Sequence, residues 1–375
     1  MLSQALTRGS RSAGGLEPRD LVQLLLENDL IDKSRLVYTQ LSIQPASQRN
    51  HNYFIQCDGG PAYFVKQGVS EATRTTVSRE AAFYQRMAAS RSHFQRFIPE
   101  FVRFLPESCV LVLQLVAGAT TLDNFRRSRP RFFSRLGKAM ALLHLQPNVP
   151  GTAHSDGRPP LISRLGSLSA KDLSIISAGG LELIQTIQQF PEYESALSEP
   201  VPETHDGCLT HNDFRSANCL IGPGQVPIII DWEFAAVGDP AWDVGCVLAE
   251  FLVSWLLSMP LGSQIGVERL PMIAAQPLEA LRPAIRAFWQ GYAAKRGLGR
   301  LRAIEFLVRA TKFTGFKLAH RAYEMCQFAA LLSAVEVCLL QLSWNVLTRP
   351  EEAIVRLFGI ALDGEPGNAS TSLKV

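Results

Sequence analysis

The sequence predicts an α+β chain: a small antiparallel β-sheet part carrying one key helix, then a larger, mainly helical part. Three observations carry this. Short apolar runs of strand length, separated by Gly, Pro and polar turns, recur between residues 37 and 116. From residue 132 onward, apolar residues recur at helical spacing. Between His211 and Asp243 a polar and acidic stretch, with two short apolar runs inside it, interrupts that pattern. The 375 residues suffice for one two-lobed domain or two domains, and with 47% hydrophobic residues the chain buries a large core.

Composition removes several function classes. A net charge of +3 is too mild to point to nucleic acid. The seven cysteines are odd in number and include no Cys-x-x-Cys pair, the pattern of reduced, buried thiols in a cytoplasmic protein rather than of a disulfide framework or zinc site. The first residues lack a continuous apolar signal core. Val244 to Met259 is apolar but short and holds Glu250; Phe328 to Leu347 is long enough to span a membrane but contains Glu336, Gln341 and Asn345. A spanning helix needs roughly 20 apolar residues, so both runs read as buried core helices and no membrane span is expected.

The elements follow in order. Residues 1 to 17 and those after Asp363 are small and polar, and read as disordered tails. Asp20 to Leu30, with Leu21, Leu24 and Leu25, reads as a short helix. Val37 to Ile43 and Asn52 to Gln56 read as strands joined by a polar loop, Gln44 to His51. Ala62 to Lys66 is an apolar strand ending in lysine, whose ammonium needs an anionic partner. Ser78 reads as the N-cap of a helix with Glu80 in its first turn, and Glu80 is the expected partner of Lys66. Glu71, in a polar linker, is the rival. Phe101 to Phe104 and Cys109 to Val116 form a second strand pair. Phe132 to Leu145 is helical and ends at His144, read as structural.

The central stretch carries the chemistry. Cys219 to Ile221 and Val226 to Ile230 flank a Gly222-Pro223-Gly224 turn, so they read as a β-hairpin. Asp213 and Asn218 precede the first strand and Asp231 ends the second, so the hairpin gathers them at one end. Two carboxylates and an amide make a hard-oxygen site suited to Mg²⁺. An acid beside a bound hydroxyl accepts its proton. This is the logic of phosphoryl transfer in enzymes with a His-x-Asp-x-x-x-x-Asn loop ahead of a metal-binding Asp.

From Leu209 to Val247, with His211-Asn-Asp-Phe-Arg-Ser-Ala-Asn218, Asp231-Trp-Glu233 and Gly238-Asp-Pro-Ala-Trp-Asp243, the chain resembles the aminoglycoside phosphotransferase and choline kinase family. The resemblance implies a two-lobed, protein-kinase-like fold and an ATP-dependent phosphotransferase, with GTP as a possible donor and Mg²⁺ as cofactor. It implies a nucleotide-binding lobe over residues 18–116 and a catalytic, acceptor-binding lobe over 117–362. Asp213 is then the base, and Arg215 either reaches the γ-phosphate or acceptor or pairs with a local acid. Asn218 and Asp231 hold the metal, and Lys66, fixed by Glu80, holds the α- and β-phosphates. Glu233 stands beside the metal or nucleotide. Ser47, Arg49 and Asn50 replace a glycine-bearing phosphate loop as donors, and adenine bonds backbone near Gln114 to Val116. Asp243 bonds the backbone of the catalytic loop. Asn212 stands where the family often has Gly.

Two stretches are candidates for the acceptor side. Residues 172 to 207 are acidic, without Lys or Arg. Leu301 to Gln327 is helical and basic, with Arg302, Arg309, Lys312, Lys317 and Arg321 interleaved with Phe306, Phe313 and Phe316. A polycationic acceptor wants carboxylates, whereas the basic helix suits an anionic or neutral small molecule, or a peptide whose Ser or Thr is phosphorylated. A solvated face explains the acidic stretch better, and basic groups solvated on one face with aromatics in the core explain the helix at least as well. A catalytically inert nucleotide-binding scaffold is the reading from another class, and Lys66, Asp213, Asn218 and Asp231 together argue against it.

Overall fold

The computed structural model describes residues 15–32, 40–47, 51–90, 92–122, 129–147, 155, 168–169, 174, 176–199, 207–260 and 274–362. Both expected tails, apart from 15–17, lie outside these residues. The chain divides into two compact units, Met1–Ala119 with Ile228–Ala235, and Thr120–Pro227 with Ala236–Val375.

The first unit is built on an antiparallel sheet of order β1-β2-β3-β5-β4, with strands Leu41–Ser47, His51–Cys57, Ala62–Gln67, Phe101–Leu105 (β4) and Val110–Gln114 (β5). Helix α1 (Pro18–Glu27) lays Leu21 and Leu25 on one face, against Tyr53, Ile55, Tyr63, Val65, Val110 and Val112. Alternation along the strands then sends Lys66 and Leu111 to the opposite face, where helix α2 (Glu71–Ala89) packs on β3 and β5. Both faces of β3 are covered at its end, and Lys66 is only 4% exposed. Residues 228–235 return to this unit, where Trp232 stacks on Phe83 at 4.0 Å.

Two expectations are corrected here. The loop expected from Gln44 to His51 is shorter, because Gln44 to Ser47 continue β1 and Ser47 pairs with Asn52 across a register shift at Pro45. A polar sequence there marks an exposed strand, not a turn. Helix α2 begins at Glu71, not after Ser78. Ser70 caps it in a reciprocal box with Thr73, and Ser78 lies inside the helix. Ser70 has the same capping chemistry as Ser78, and the run of β-branched residues between them hid the first two turns.

In the second unit, helix α3 (Pro130–Leu143) packs against α7 (Leu278–Arg296). Helices α4 (Ala178–Gln188) and α5 (Pro191–Ser198) are the described part of the acidic stretch. Short strands β6 (Thr120–Thr121) and β8 (Cys219–Gly222) pair, as do β7 (Cys208–Thr210) and β10 (Ala236–Gly238). The hairpin expected after Asn218 is present: β8 turns at Pro223–Gln225, with Gly224 at φ 65°, into β9 (Val226–Ile229). Helix α6 (Pro240–Leu256) is buried along nearly its whole length, and α8 (Arg300–Cys326) packs against both α6 and α9 (Ala334–Thr348). The apolar run Phe328 to Leu347 is broken by the Ser333 cap of α9. Among the described residues no helix is long and apolar enough to cross a membrane. All seven cysteines are free thiols, six of them buried.

The contact of α6 with α8 has no slack. A Cβ on Gly245 would meet the Ala310 carbonyl oxygen at 2.6 Å and the Phe313 Cβ at 2.8 Å, and the Thr314 hydroxyl donates to the Gly245 carbonyl at 3.1 Å. We expect Gly245→Ala to lower stability by about 1–3 kcal/mol. The readout is a lower urea midpoint at unchanged slope, and an unmoved midpoint would mean the two helices separate freely.

Candidate active site

In the first unit the site is a buried charge cluster. The Lys66 ammonium lies 2.7 Å from Glu80 Oε2 and 2.6 Å from Asp231 Oδ1, with Glu233 Oε2 at 3.8 Å. Glu80 also accepts the Trp232 backbone N–H at 3.3 Å, which ties α2 to the segment bearing Asp231. Burial alone would lower the Lys66 pKa, but Glu80 and Asp231 outweigh it and hold the ammonium protonated. Glu71, the rival partner, begins α2 and is exposed. Asp231 has φ 66°, left-handed backbone that Asp tolerates better than most residues.

In the second unit the loop from His211 to Arg215 is held from below by one carboxylate. Asp243, on the first turn of α6 and fully buried, accepts the His211 N–H at 2.7 Å and the Asn212 N–H at 2.9 Å. The same carboxylate bonds His144 Nε2 at 3.1 Å, and His144 Nδ1 lies 2.9 Å from the Tyr292 hydroxyl. Burial would raise the Asp243 pKa, but His144, His211 and the loop N–H groups more than compensate and hold it below the usual carboxylate range. Asn212 has φ 65°, which explains an Asn where Gly is common, since both accept the left-handed region. The His211 ring accepts the Asp213 N–H at 3.3 Å, a packing and hydrogen-bonding position.

Asp213 itself sits among cations. Its Oδ1 receives Arg215 Nη2 at 3.0 Å and Lys317 Nζ at 3.2 Å. Oδ2 faces the Asn218 amide nitrogen at 3.5 Å, and that nitrogen donates to the Asp213 carbonyl at 2.9 Å. Arg215 also reaches Glu324 at 3.0 Å, and Glu324 holds Arg321 at 3.2 Å. Glu250, from α6, accepts the Ser216 N–H at 2.7 Å behind the loop. Burial pulls the Asp213 pKa up, yet Lys317 and Arg215 outweigh it and keep the carboxyl below its ordinary range. Sequence reasoning singled out neither Lys317 as a partner of Asp213 nor Glu324 as a partner of Arg215; with Arg321 they lie four and three residues apart along one helix face, and that spacing was the available signal.

The nucleotide-side expectations are placed as follows. Gln114 ends β5 and Val116 follows it; the N–H groups of Gln114 and Leu115 donate to Glu100 and Ala62, and the Val116 carbonyl accepts from Ala119. Ser47 closes β1, and Arg49 and Asn50 lie outside the described residues. The donor types fit Mg²⁺. Asn218 uses its amide nitrogen on the Asp213 carbonyl, which leaves its oxygen for a cation, and the Asp231 side chain is 34% exposed. Among the described residues no group of three or more His, Cys, Asp or Glu stands ready to hold a metal ion. An ion taking few protein ligands and completing its shell with water and phosphate oxygens needs no such cluster.

The sheet-and-helix first unit and the helical second unit, with its Asp-bearing loop, define a kinase-like protein. The model of the phosphotransferase enzyme family (APH) matches residues 42–303, and the chain belongs to that family. It is therefore an enzyme, a phosphotransferase. Similar solved structures include a choline kinase from Cryptosporidium parvum Iowa II, 13% identical with a TM-score of 0.51, covering 90% of this chain and 96% of that one. A Plasmodium vivax ethanolamine kinase is 14% identical with a TM-score of 0.50, covering 91% and 90%. An ADP-bound aminoglycoside phosphotransferase is 16% identical with a TM-score of 0.50, covering 88% and 99%. At these identities the likeness is one of fold. No match was found among curated proteins.

The Lys66 cluster makes a prediction of its own. Removing one partner of a buried pair leaves an uncompensated charge, so Lys66→Met should destabilise the protein by about 3–5 kcal/mol. Adding Glu80→Leu should recover most of that loss in a double-mutant cycle read by denaturation. Additive losses would mean that the two groups do not depend on each other.

Proposed function

We propose that this enzyme moves the γ-phosphoryl group of ATP to a hydroxyl of a small molecule. The observation that carries the reading is the Asp213 carboxylate. A loop bound through its backbone by Asp243 presents it, with Asn218 against it, in a member of a phosphotransferase family. The acceptor hydroxyl binds at Asp213. Its oxygen attacks the γ-phosphorus, the bond to the ADP oxygen breaks, and the hydroxyl proton passes to Asp213. Oδ1 is engaged by two cations, so Oδ2 is the oxygen that takes the proton. Lys66, held by Glu80, neutralises the α- and β-phosphates, and Arg215 serves the γ-phosphoryl group or the acceptor. Adenine lies at the backbone of Gln114 to Val116. Ser47, Arg49 and Asn50 donate to the phosphates.

Asn218 and Asp231 are the proposed Mg²⁺ ligands, with Glu233 beside them; the ion, when bound, neutralises charge on the phosphate oxygens. Little covalent chemistry is asked of the protein, so positioning and electrostatics carry the rate. GTP fits the same roles. The ADP bound to the aminoglycoside phosphotransferase supports a nucleotide donor here.

Calorimetric titration of ATP with and without Mg²⁺ tests the nucleotide site without knowledge of the acceptor. We expect Mg²⁺-dependent binding that Asp231→Ala removes. Absence of ATP and GTP binding under every condition would favour an inert scaffold. Asp213→Asn should retain nucleotide binding and lower turnover by about 10²–10⁴-fold, the usual contribution of a general base; normal turnover in that variant would reassign the base. The pH profile gives an independent check. A carboxyl held below its ordinary value is ionised throughout the range above it, so activity through Asp213 is lost only as pH falls below about 4. An acid limb at pH 6 would assign the essential base to another group.

A further inference from the structure

We propose that the acceptor carries an anionic group, a carboxylate or a phosphate, close to the hydroxyl that is phosphorylated, and that Arg215 and Arg321 bind it. The inference rests on the reading of Asp213 as the base.

The charges around Asp213 are counted by what each one already does. Three cations, Arg215, Lys317 and Arg321, stand with two carboxylates, Asp213 and Glu324. Each carboxylate already has cations as partners. Asp213 Oδ1 is engaged by Arg215 and Lys317, and Glu324 uses one oxygen on Arg215 and the other on Arg321. The nearby acids of α6 are also engaged: Glu250 by the Ser216 N–H, Asp243 by the loop and His144, Asp239 by Arg309 at 2.8 Å. His320, on the same face of α8, adds no fourth positive charge; burial and Lys317 push its pKa down to about 4, so it stands neutral.

The guanidinium groups are in the opposite condition. A guanidinium has five N–H donors in a rigid fork. Here Arg215 uses only Nη2 and Arg321 only Nη1. Among the described residues the Nε of each is buried without a hydrogen-bond partner, as is His320 Nδ1. The enclosed Nε atoms are out of a ligand's reach, as are those of Arg282, Arg296 and Arg309. Arg215 Nη1 and Arg321 Nη2, however, make no hydrogen bond among the described residues, and two such open donors on guanidinium groups that share Glu324 define a place for a planar or tetrahedral oxyanion. The Arg215 and Arg321 side chains are 31% and 33% exposed, so a ligand reaches them, whereas Lys317 is 4% exposed and serves Asp213 alone. A cationic alcohol would meet an excess of one positive charge and no carboxylate without a cation partner, a like-charge juxtaposition that costs affinity.

The test uses the full chain and ADP release from Mg·ATP. Four sets of hydroxyl compounds are compared: hydroxy acids such as glycerate, phosphate monoesters such as glycerol 3-phosphate, cationic alcohols such as choline and ethanolamine, and neutral polyols such as glycerol. ADP binding by calorimetry is measured first. Its absence overturns the parent reading, and its presence isolates the question of charge. We expect one anionic set to stimulate release at least about ten-fold more efficiently than the cationic and neutral sets, with the two anionic arms separating carboxylate from phosphate. Arg321→Ala should raise KM for that acceptor about ten-fold with kcat little changed, the loss of one charged hydrogen bond, and Arg321→Lys should restore part of it. Retained ADP binding in both variants shows that they are folded. Stimulation by cationic or neutral alcohols alone, or no response to any anionic compound, overturns the proposal, as does a KM that Arg321→Ala leaves unmoved.

Discussion

Everything in the second unit that bears on chemistry depends on one carboxylate kept out of water. Asp243 has no exposed surface. An ionised carboxylate in that position costs several kcal/mol unless hydrogen bonds and opposite charge replace the lost water. The replacement comes from the backbone N–H groups of His211 and Asn212 and from His144. The dependence runs both ways. The loop satisfies Asp243, and Asp243 fixes the height and direction of the loop, hence the place of Asp213 one residue further on. Asp243 lies in the first turn of α6, where the helix dipole favours negative charge. His144 is fixed in turn by Tyr292 and by the helix packing of α3 on α7. A core histidine at a helix end thus acts on the site through two intermediates.

The two charged clusters follow a common rule with different consequences. Lys66 is surrounded by acids and stays protonated, and Asp213 is surrounded by bases and stays ionised. Each group is held in the charge state its proposed task requires before any ligand arrives. That is preorganisation: the reorganisation of charged groups is completed during folding rather than at the moment of reaction. Its cost appears locally as left-handed backbone at Asn212 and Asp231, non-glycine residues in a sparsely populated region.

The sequence was legible where chemistry requires a fixed residue at a fixed spacing. The hairpin between Asn218 and Asp231, the strand ending in Lys66 and the long helices after Asp243 all carry local signals of turn chemistry or periodicity. The start of α2 was misplaced because Ser70 and Ser78 have equal capping chemistry and only packing distinguishes them. The strand ending at Ser47 was shortened because polar residues on an exposed strand look like a loop. The distant partners of Asp213 and Arg215 were invisible for a different reason. Lys317 and Glu324 lie more than a hundred residues away in the chain, and a helix face becomes a site wall only once α8 has docked on α6.

That docking separates charges that look alike in the sequence. Arg309 pairs with Asp239 and covers Phe306, so it closes the N-terminal end of α6 and serves structure. Lys317, two turns later, points into the unit and meets Asp213; Arg321 follows one turn on and meets Glu324. A basic helix is therefore neither a solvated face nor a uniform binding surface. The direction of each side chain is set by its position around the helix, and Gly245 and Thr314 fix the rotation of α8 against α6. That rotation brings Lys317 to the proposed base, Asp213, on the loop that Asp243 holds, and sets Arg321 against Glu324.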